Sequence, residues 1–250
     1  MPLIWNPPTD TGTNPRIIHK FGSSTVTTTL GIVSRGNDYQ MVQPSAATLL
    51  RVKAGDAGDT AAGAGARTIN VQGLDANGAE QTDTLTTNGT SAGANGVIEF
   101  VRVYRAWVDT SGTYGVSGSP SHIDEIVIEN AAGDADWITI PSESLGIGQS
   151  EVAAFTVPAG KSAWIAGYDI SVDSAKSTNV HLFKREGILD TAAPYKAVRE
   201  IVRHVGLGSP FRQAYEIPDG PYPPLTDIWA EAKVGASTGE VSVNMEIIIV

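Results

Sequence analysis

Gly239-Glu-Val-Ser-Val-Asn-Met-Glu-Ile-Ile-Ile-Val250 decides the fold. Val241, Val243, Met245, Ile247 and Ile249 alternate with Glu240, Ser242, Asn244 and Glu246. Successive side chains leave a pleated backbone on opposite sides, so a period of two marks a strand with one buried face. The same pattern recurs upstream. Ile228, Ala230, Ala232 and Val234 alternate with Asp227, Trp229, Glu231 and Lys233. Trp164, Tyr168, Ile170 and Val172 share one expected face, and Val180 and Leu182 belong to a further strand. Phe155-Thr-Val-Pro-Ala-Gly-Lys161 reads as strand, turn, strand. Residues 193–205 carry Val198, Ile201, Val202 and Val205 at helical spacing, behind Pro194. The surrounding strands favour a strand there.

The first half repeats the theme. Ile69 and Val71 alternate with Thr68, Asn70 and Gln72. Asp75-Ala-Asn-Gly78 supplies a tight turn, and residues 80–87 return. Residues 25–30 and 49–52 read as strands, with the Gly- and Ala-rich run 55–66 as a loop. The longest candidate strand, 97–108, is apolar on both faces. Val101, Val103 and Trp107 point one way; Ile98, Phe100, Tyr104 and Val108 point the other. Such a strand is covered twice, either by another layer of its own chain or by a partner subunit. Ahead of everything lies a segment with Pro2, Pro7, Pro8 and Pro15, which is extended because proline fixes φ and lacks an amide donor. Its Leu3, Ile4 and Trp5 either pack on the chain's own core or hook over a neighbour.

The expected fold is therefore all-β: an antiparallel β-sandwich or jelly roll, in two β-rich domains with an extended N-terminal arm. The expected boundaries are 1–15 for the arm, 16–148 for an N-terminal β domain and 149–250 for a C-terminal sandwich or jelly roll.

Composition narrows the function. Charged residues make up 18%, below the roughly 25% usual for soluble domains, and short neutral residues fill the difference. Such a surface suits packing against other proteins. The net charge of −10 offers no basic stripe for phosphates; the richest basic stretch, with Lys196, Arg199 and Arg203, also holds Glu200. No nucleic acid is expected as a partner. With no cysteine, disulfides and thiolate sites are excluded. No apolar run approaches the 20 or so residues of a membrane span, and the N-terminus has no secretory pattern, so no membrane partner is expected.

Chemistry is sparse. His19, His122, His181 and His204 stand apart, without ligand spacing to one another or to a carboxylate pair. No Gly-x-Ser-x-Gly elbow exists, and Gly63-Ala-Gly-Ala-Arg67 lacks the Gly-Lys-Ser/Thr ending of a phosphate loop. Asp56, Asp59, Asp134 and Asp136 could offer calcium oxygens, but Asp is equally a turn residue. Trp137 and Trp229 fall on the polar phase of their strands, where they could stack a sugar or enter a seam. No catalytic, cofactor-binding or metal-binding residue is assigned, and an enzyme is not expected.

Two stretches resemble a known family. Asp59 to Gly78, continuing through Thr84-Leu-Thr-Thr-Asn-Gly89 and Phe100-Val-Arg-Val-Tyr-Arg105, is similar to a segment of virion structural proteins of tailed bacteriophages. Phe155 to Trp164, Thr226-Asp-Ile228 and the closing strand resemble the second half of such proteins. The resemblance implies a virion location, β-sandwich or jelly-roll domains, and no catalytic residues. The expected role is a capsid-decorating, cement-type protein on the capsid surface. It would be a homo-oligomer, a trimer for preference, held to the major capsid protein or other virion proteins by multivalent contacts. Leu3, Ile4, Trp5, Phe100 and Tyr104 are the candidate subunit or capsid contacts. A neck, tail or fibre-base protein is the alternative, and a glycan-binding module for host attachment a further one.

Overall fold

The computed structural model describes residues 15–36, 46–115, 119–142, 147–174 and 176–250. Their regular structure is fifteen strands and one short 3-10 turn. In chain order the strands are β1 (Arg16–Val26), β2 (Gly31–Ile32), β3 (Thr48–Ala54), β4 (Ala66–Asp75) and β5 (Glu80–Thr86). Next come β6 (Glu99–Ser111), β7 (Ile126–Asn130), β8 (Asp136–Ile140), β9 (Ala154–Thr156) and β10 (Ala163–Val172). The last five are β11 (Thr178–Arg185), β12 (Arg199–Leu207), β13 (Phe211–Tyr222), β14 (Asp227–Val234) and β15 (Gly239–Ile249). Every pairing of these strands is antiparallel.

The chain divides into two compact units, and the division differs from the expected one. Residues 15–36 belong with Val152–Val250, while Asp38–Glu151 bounds the other unit. The N-terminal domain expected over 16–148 therefore loses its first strand. The reason is a pairing that local sequence does not announce. β1 runs alongside β15 over its whole length, from Arg16 opposite Ile249 to Val26 opposite Gly239. The strand expected at 25–30 also moves upstream. Beyond Val26 the Thr27 hydroxyl accepts from the Thr29 amide at 3.2 Å, a local bond that competes with a ladder.

The first unit has two sheets, ordered β1-β15-β10-β13 and β12-β11-β14-β2, with β9 against β14. Lettered B to I in chain order with β9 set aside, these are B-I-D-G and C-H-E-F. That is a jelly roll. The other unit is inserted between its second strand and β9. The inward faces are those the alternation predicts. Val241, Val243, Met245 and Ile247 on β15 are buried, as are Ile228, Ala230, Ala232 and Val234 on β14. Arg185 and Asp227, opposite one another on β11 and β14, form a buried ion pair at 3.4 Å. The Thr156 hydroxyl of β9 donates to the same carboxylate at 2.7 Å.

Residue 22 shows why glycine stands on β1. A Cβ there would lie 2.1 Å from the Ala153 nitrogen and 2.4 Å from the Val33 oxygen. The β1 backbone thus rests directly on the chain next to β2 and β9, where only hydrogen fits.

The inserted unit carries one six-stranded sheet, β5-β4-β6-β3-β7-β8. Its β4–β5 hairpin matches the expected one, with Gly78 at φ 75°. Asp75 builds that turn by accepting from the amides of Asn77 and Ala79 at 2.8 and 2.9 Å. β3 changes partner along its length: Thr48 and Leu49 pair with β6, and Leu50 onward with β7. β8 also packs against β6. The core gathers Leu50, Ile69, Val71, Phe100, Ile126, Ile128, Ile138 and Ile140, all buried.

Candidate interaction surface

The residues singled out in the sequence are distributed unevenly. Leu3, Ile4 and Trp5 lie outside the described residues. Phe100 and Tyr104 are buried within the inserted unit, the Tyr104 hydroxyl donating to Glu80 at 2.7 Å. They are therefore not exposed contacts. Residues Phe100, Val101, Arg102, Val103 and Tyr104 are all buried. Of the two readings of that strand, cover by its own unit is the one observed. A register shift between Gln72 and Gly73 also breaks the two-residue phase of β6. Trp107 consequently stands half-buried opposite Asn70, with the Arg105 guanidinium 4.9 Å from its ring centre.

A second shift, between Ile165 and Gly167, moves Trp164 off the face of Tyr168 and Ile170. Trp164 lies opposite Ile248 and forms a small apolar cluster with Ile248 and Val250. The sugar-platform reading loses its residues. Trp137 is 4% and Trp229 5% exposed. Trp229 donates its indole N–H to Glu231 at 2.8 Å and tilts against Phe183.

These aspartates hold loops and turns together. Asp59 is buried, and its carboxylate accepts from the amides of Ala66 and Ile123 at 2.7 and 3.2 Å. Asp56 accepts from Gly58 at 2.6 Å, and Asp134 from the Asn130 side chain at 2.6 Å. Among the described residues, no three of His, Asp and Glu are placed to hold a metal ion.

The histidines pair in ways their spacing hides. His122 is buried, with Ser121 Oγ and the Pro141 carbonyl each 3.0 Å from a ring nitrogen. A backbone carbonyl thus occupies the place that an orienting carboxylate has in a catalytic triad. The β11–β12 pairing brings His181 Nδ1 within 2.6 Å of Glu200 Oε1. Glu200 also accepts two bonds of 2.9 Å from Arg203, which hold its carboxyl below the usual range. The His181 ring stacks on Phe183. Only knowledge of which strands pair could have exposed this cluster, since nineteen positions separate His181 from Glu200.

The two lateral sides of the jelly roll differ. On one, β1 lies on the backbone at Ala153 and Val33. On the other, β12 ends one sheet and β13 ends the other, with no strand beyond either among the described residues. Aromatic rings fill the gap between them. Tyr168 Oη lies 2.8 Å from His204 Nε2, and the His204 and Phe211 ring centres are 4.3 Å apart. Tyr215 is 6.2 Å from Tyr168 between ring centres. Burial lowers the His204 pKa, and burial with Tyr215 nearby raises that of Tyr168. At neutral pH both the tyrosine hydroxyl and the imidazole are therefore uncharged.

Outside this plug the strands are exposed. Val205 is 68% and Ile217 55% open to solvent, and Val198 and Tyr195 are exposed as well. Ile217 owes its position to an interruption of the ladder. Gly167 faces Ala214 but Ile165 faces Asp219, so four residues of β13 bulge out opposite Ala166 alone. A further apolar pair, Ile17 and Phe21, is exposed on β1.

Comparison with known proteins adds little. No protein-family model matches the chain, and no curated protein matches it. Among solved structures it overlaps one of infectious bursal disease virus, Gx strain, at 13% identity and a TM-score of 0.25, over 98% of this chain and 74% of that one. A mutant VP2 protein of the same virus, from T=1 particles, gives 13% and 0.22 over 98% and 75%. Superpositions at this level do not define a common fold.

Proposed function

We propose that the chain is a virion structural protein that works by packing against other proteins. The reading we favour is a capsid-decorating, cement-type protein of a tailed bacteriophage, bound on the capsid surface as a homo-oligomer, a trimer for preference. The observation that carries it is the apolar exposure on the jelly-roll unit: Ile17, Phe21, Val205 and Ile217 stand in water on a chain with few charges. Exposed apolar side chains of this size, Ile17 and Phe21 on β1 and Val205 and Ile217 on β12 and β13, are candidate contact sites. The architecture agrees, since jelly rolls serve in viral capsids, although lectins and cupins use them too. The resemblance of residues 59–105 to phage virion proteins supplies the choice among these; that segment folds as β4, β5 and β6.

The mechanism is multivalency. Each contact on a shell is modest, but an oligomer presents several at high effective concentration, so one protein clamps several shell subunits without a single strong site. No residue is assigned a catalytic role.

The test is to add purified protein to phage shells that lack it. Saturable gain of bound mass, at hundreds of copies per particle, is the expected result. No gain would remove the reading. A dozen copies or fewer would move the protein to the neck, tail or fibre base.

A further inference from the structure

We infer that the open side of the jelly roll, edge strands β12 and β13, binds a second copy of this chain. The inference deepens the assembly reading by naming a surface and its occupant. It begins with the backbone. β12 and β13 are nine and twelve residues long and terminate their sheets. At about 3.3 Å per residue each edge is on the order of 30 to 40 Å long. An edge presents a row of N–H and C=O groups that another strand can pair.

Natural edges are blunted with charges, prolines and bulges. Part of this one is: Arg199, Glu200 and Arg203 stand at the start of β12, and the 215–218 bulge with Pro218 and Pro221 interrupts β13. Between those guards, His204-Val-Gly-Leu-Gly208 has no charge and no proline. Val205 stands exposed in that gap, with Ile217 exposed on the β13 bulge. The gap lies beside the aromatic plug and carries none of the charges or prolines that blunt an idle edge.

Charge selects the occupant. The chain as a whole is −10, so two copies repel over most of their surfaces. Residues 195–222 are the exception: they hold Lys196, Arg199, Arg203 and Arg212 with Glu200, Glu216 and Asp219, a net of +1 that leaves −11 for the rest, and the three arginines sit in exposed ion pairs with Glu186, Glu200 and Asp169. This near-neutral stretch carries both signs on two adjacent edges. It can meet itself without like-charge repulsion, and its cations can meet carboxylates of the other copy. A strongly basic partner would choose the remaining surface instead.

The absence of cysteine makes the test clean, because a single introduced thiol reports one position. The proteins are wild type, Val205→Cys, Val97→Cys as an exposed control in the inserted unit, and the charge variants Val205→Lys and Ile217→Lys. All are measured without any viral particle, so failure here leaves the shell-binding reading standing. Wild type should sediment as a discrete oligomer at tens of micromolar. A short bismaleimide should link Val205→Cys copies covalently at least tenfold faster than Val97→Cys copies. Each lysine variant should dissociate at least tenfold more readily, with an unchanged melting profile. A monomeric wild type, equal cross-linking at both positions, or lysine variants that associate like wild type would each overturn the inference. Should a lysine variant fail to fold, the cysteine pair decides alone.

Discussion

The two sides of the jelly roll close the same gap by different means. At Gly22 the β1 backbone meets the backbone at Ala153 and Val33, and the nearby Asp227 holds Arg185 and Thr156 together in the interior. That side is closed by main chain and buried charge. On the other side, Tyr168, His204, Phe211 and Tyr215 fill the opening with rings, and the strands beside them stay exposed. Main-chain closure seats β1 on fixed backbone while Ile17 and Phe21 stay exposed on its outer face. Side-chain closure sets the β12 and β13 edges beside rings that single substitutions can alter.

Substitutions that attack each side should separate these two modes of closure. The largest effect is expected from Asp227→Ala, which takes a buried carboxylate away from the Arg185 guanidinium. Breaking a buried pair on one side costs about 3–5 kcal/mol, read from chemical denaturation. Gly22→Val should cost about 2–3 kcal/mol, because the new side chain meets backbone that cannot rotate away. On the ring-filled side, Phe211→Ala should cost only about 1–2 kcal/mol, since Phe211 is half-buried and neighbouring rings can shift. If Phe211→Ala proved as costly as Gly22→Val, the two sides would be equally structural and the contrast would fail.

The smallest expected effect is in pH. Burial holds His204 below its ordinary pKa, so the unfolded chain takes up that proton first as pH falls. The His204 contribution is therefore a loss of stability that begins near pH 6.5 and levels off once the folded ring protonates. His204→Gln should remove it. Between pH 7.5 and 5.5 the melting temperature of the variant should fall less than that of wild type, by no more than about 2 °C. An identical decline in both proteins would mean the ring is not held neutral by the fold.

Much of the fold was legible in the sequence because period-two alternation is local. The strand at 239–250 and the hairpin around Asp75 and Gly78 could be read directly, and both are observed; the strand after Pro194 was favoured by its neighbours alone, against its local period, and it too is observed. In that last segment the helical spacing of Val198, Ile201, Val202 and Val205 gave way to pairing with β11. What failed depended on information a strand does not carry about itself. Nothing in Arg16–Val26 names β15 as its partner, so the domain boundary was misplaced. Register shifts at Gln72/Gly73 and Ile165/Gly167 reversed the expected faces of Trp107 and Trp164. Phe100 and Tyr104 looked like surplus apolar surface because the layer that covers them comes from distant strands. The candidate surface was harder still, since β12 and β13 are edges only in that no other described strand pairs beyond them.

The pairing of β1 with β15 also bears on how the molecule comes into being. Ribosomes add roughly 5–20 residues per second, so β1 exists for on the order of ten to forty seconds before its neighbour is made. Throughout that interval Ile17, Ile18 and Phe21 have no sheet to join, whereas every strand of the inserted unit has emerged by Ile140. Nascent chains crowded on one messenger are thus most exposed to mispairing through this leading segment, and slowing translation ahead of Gly239 should lower the soluble yield more than slowing it afterwards.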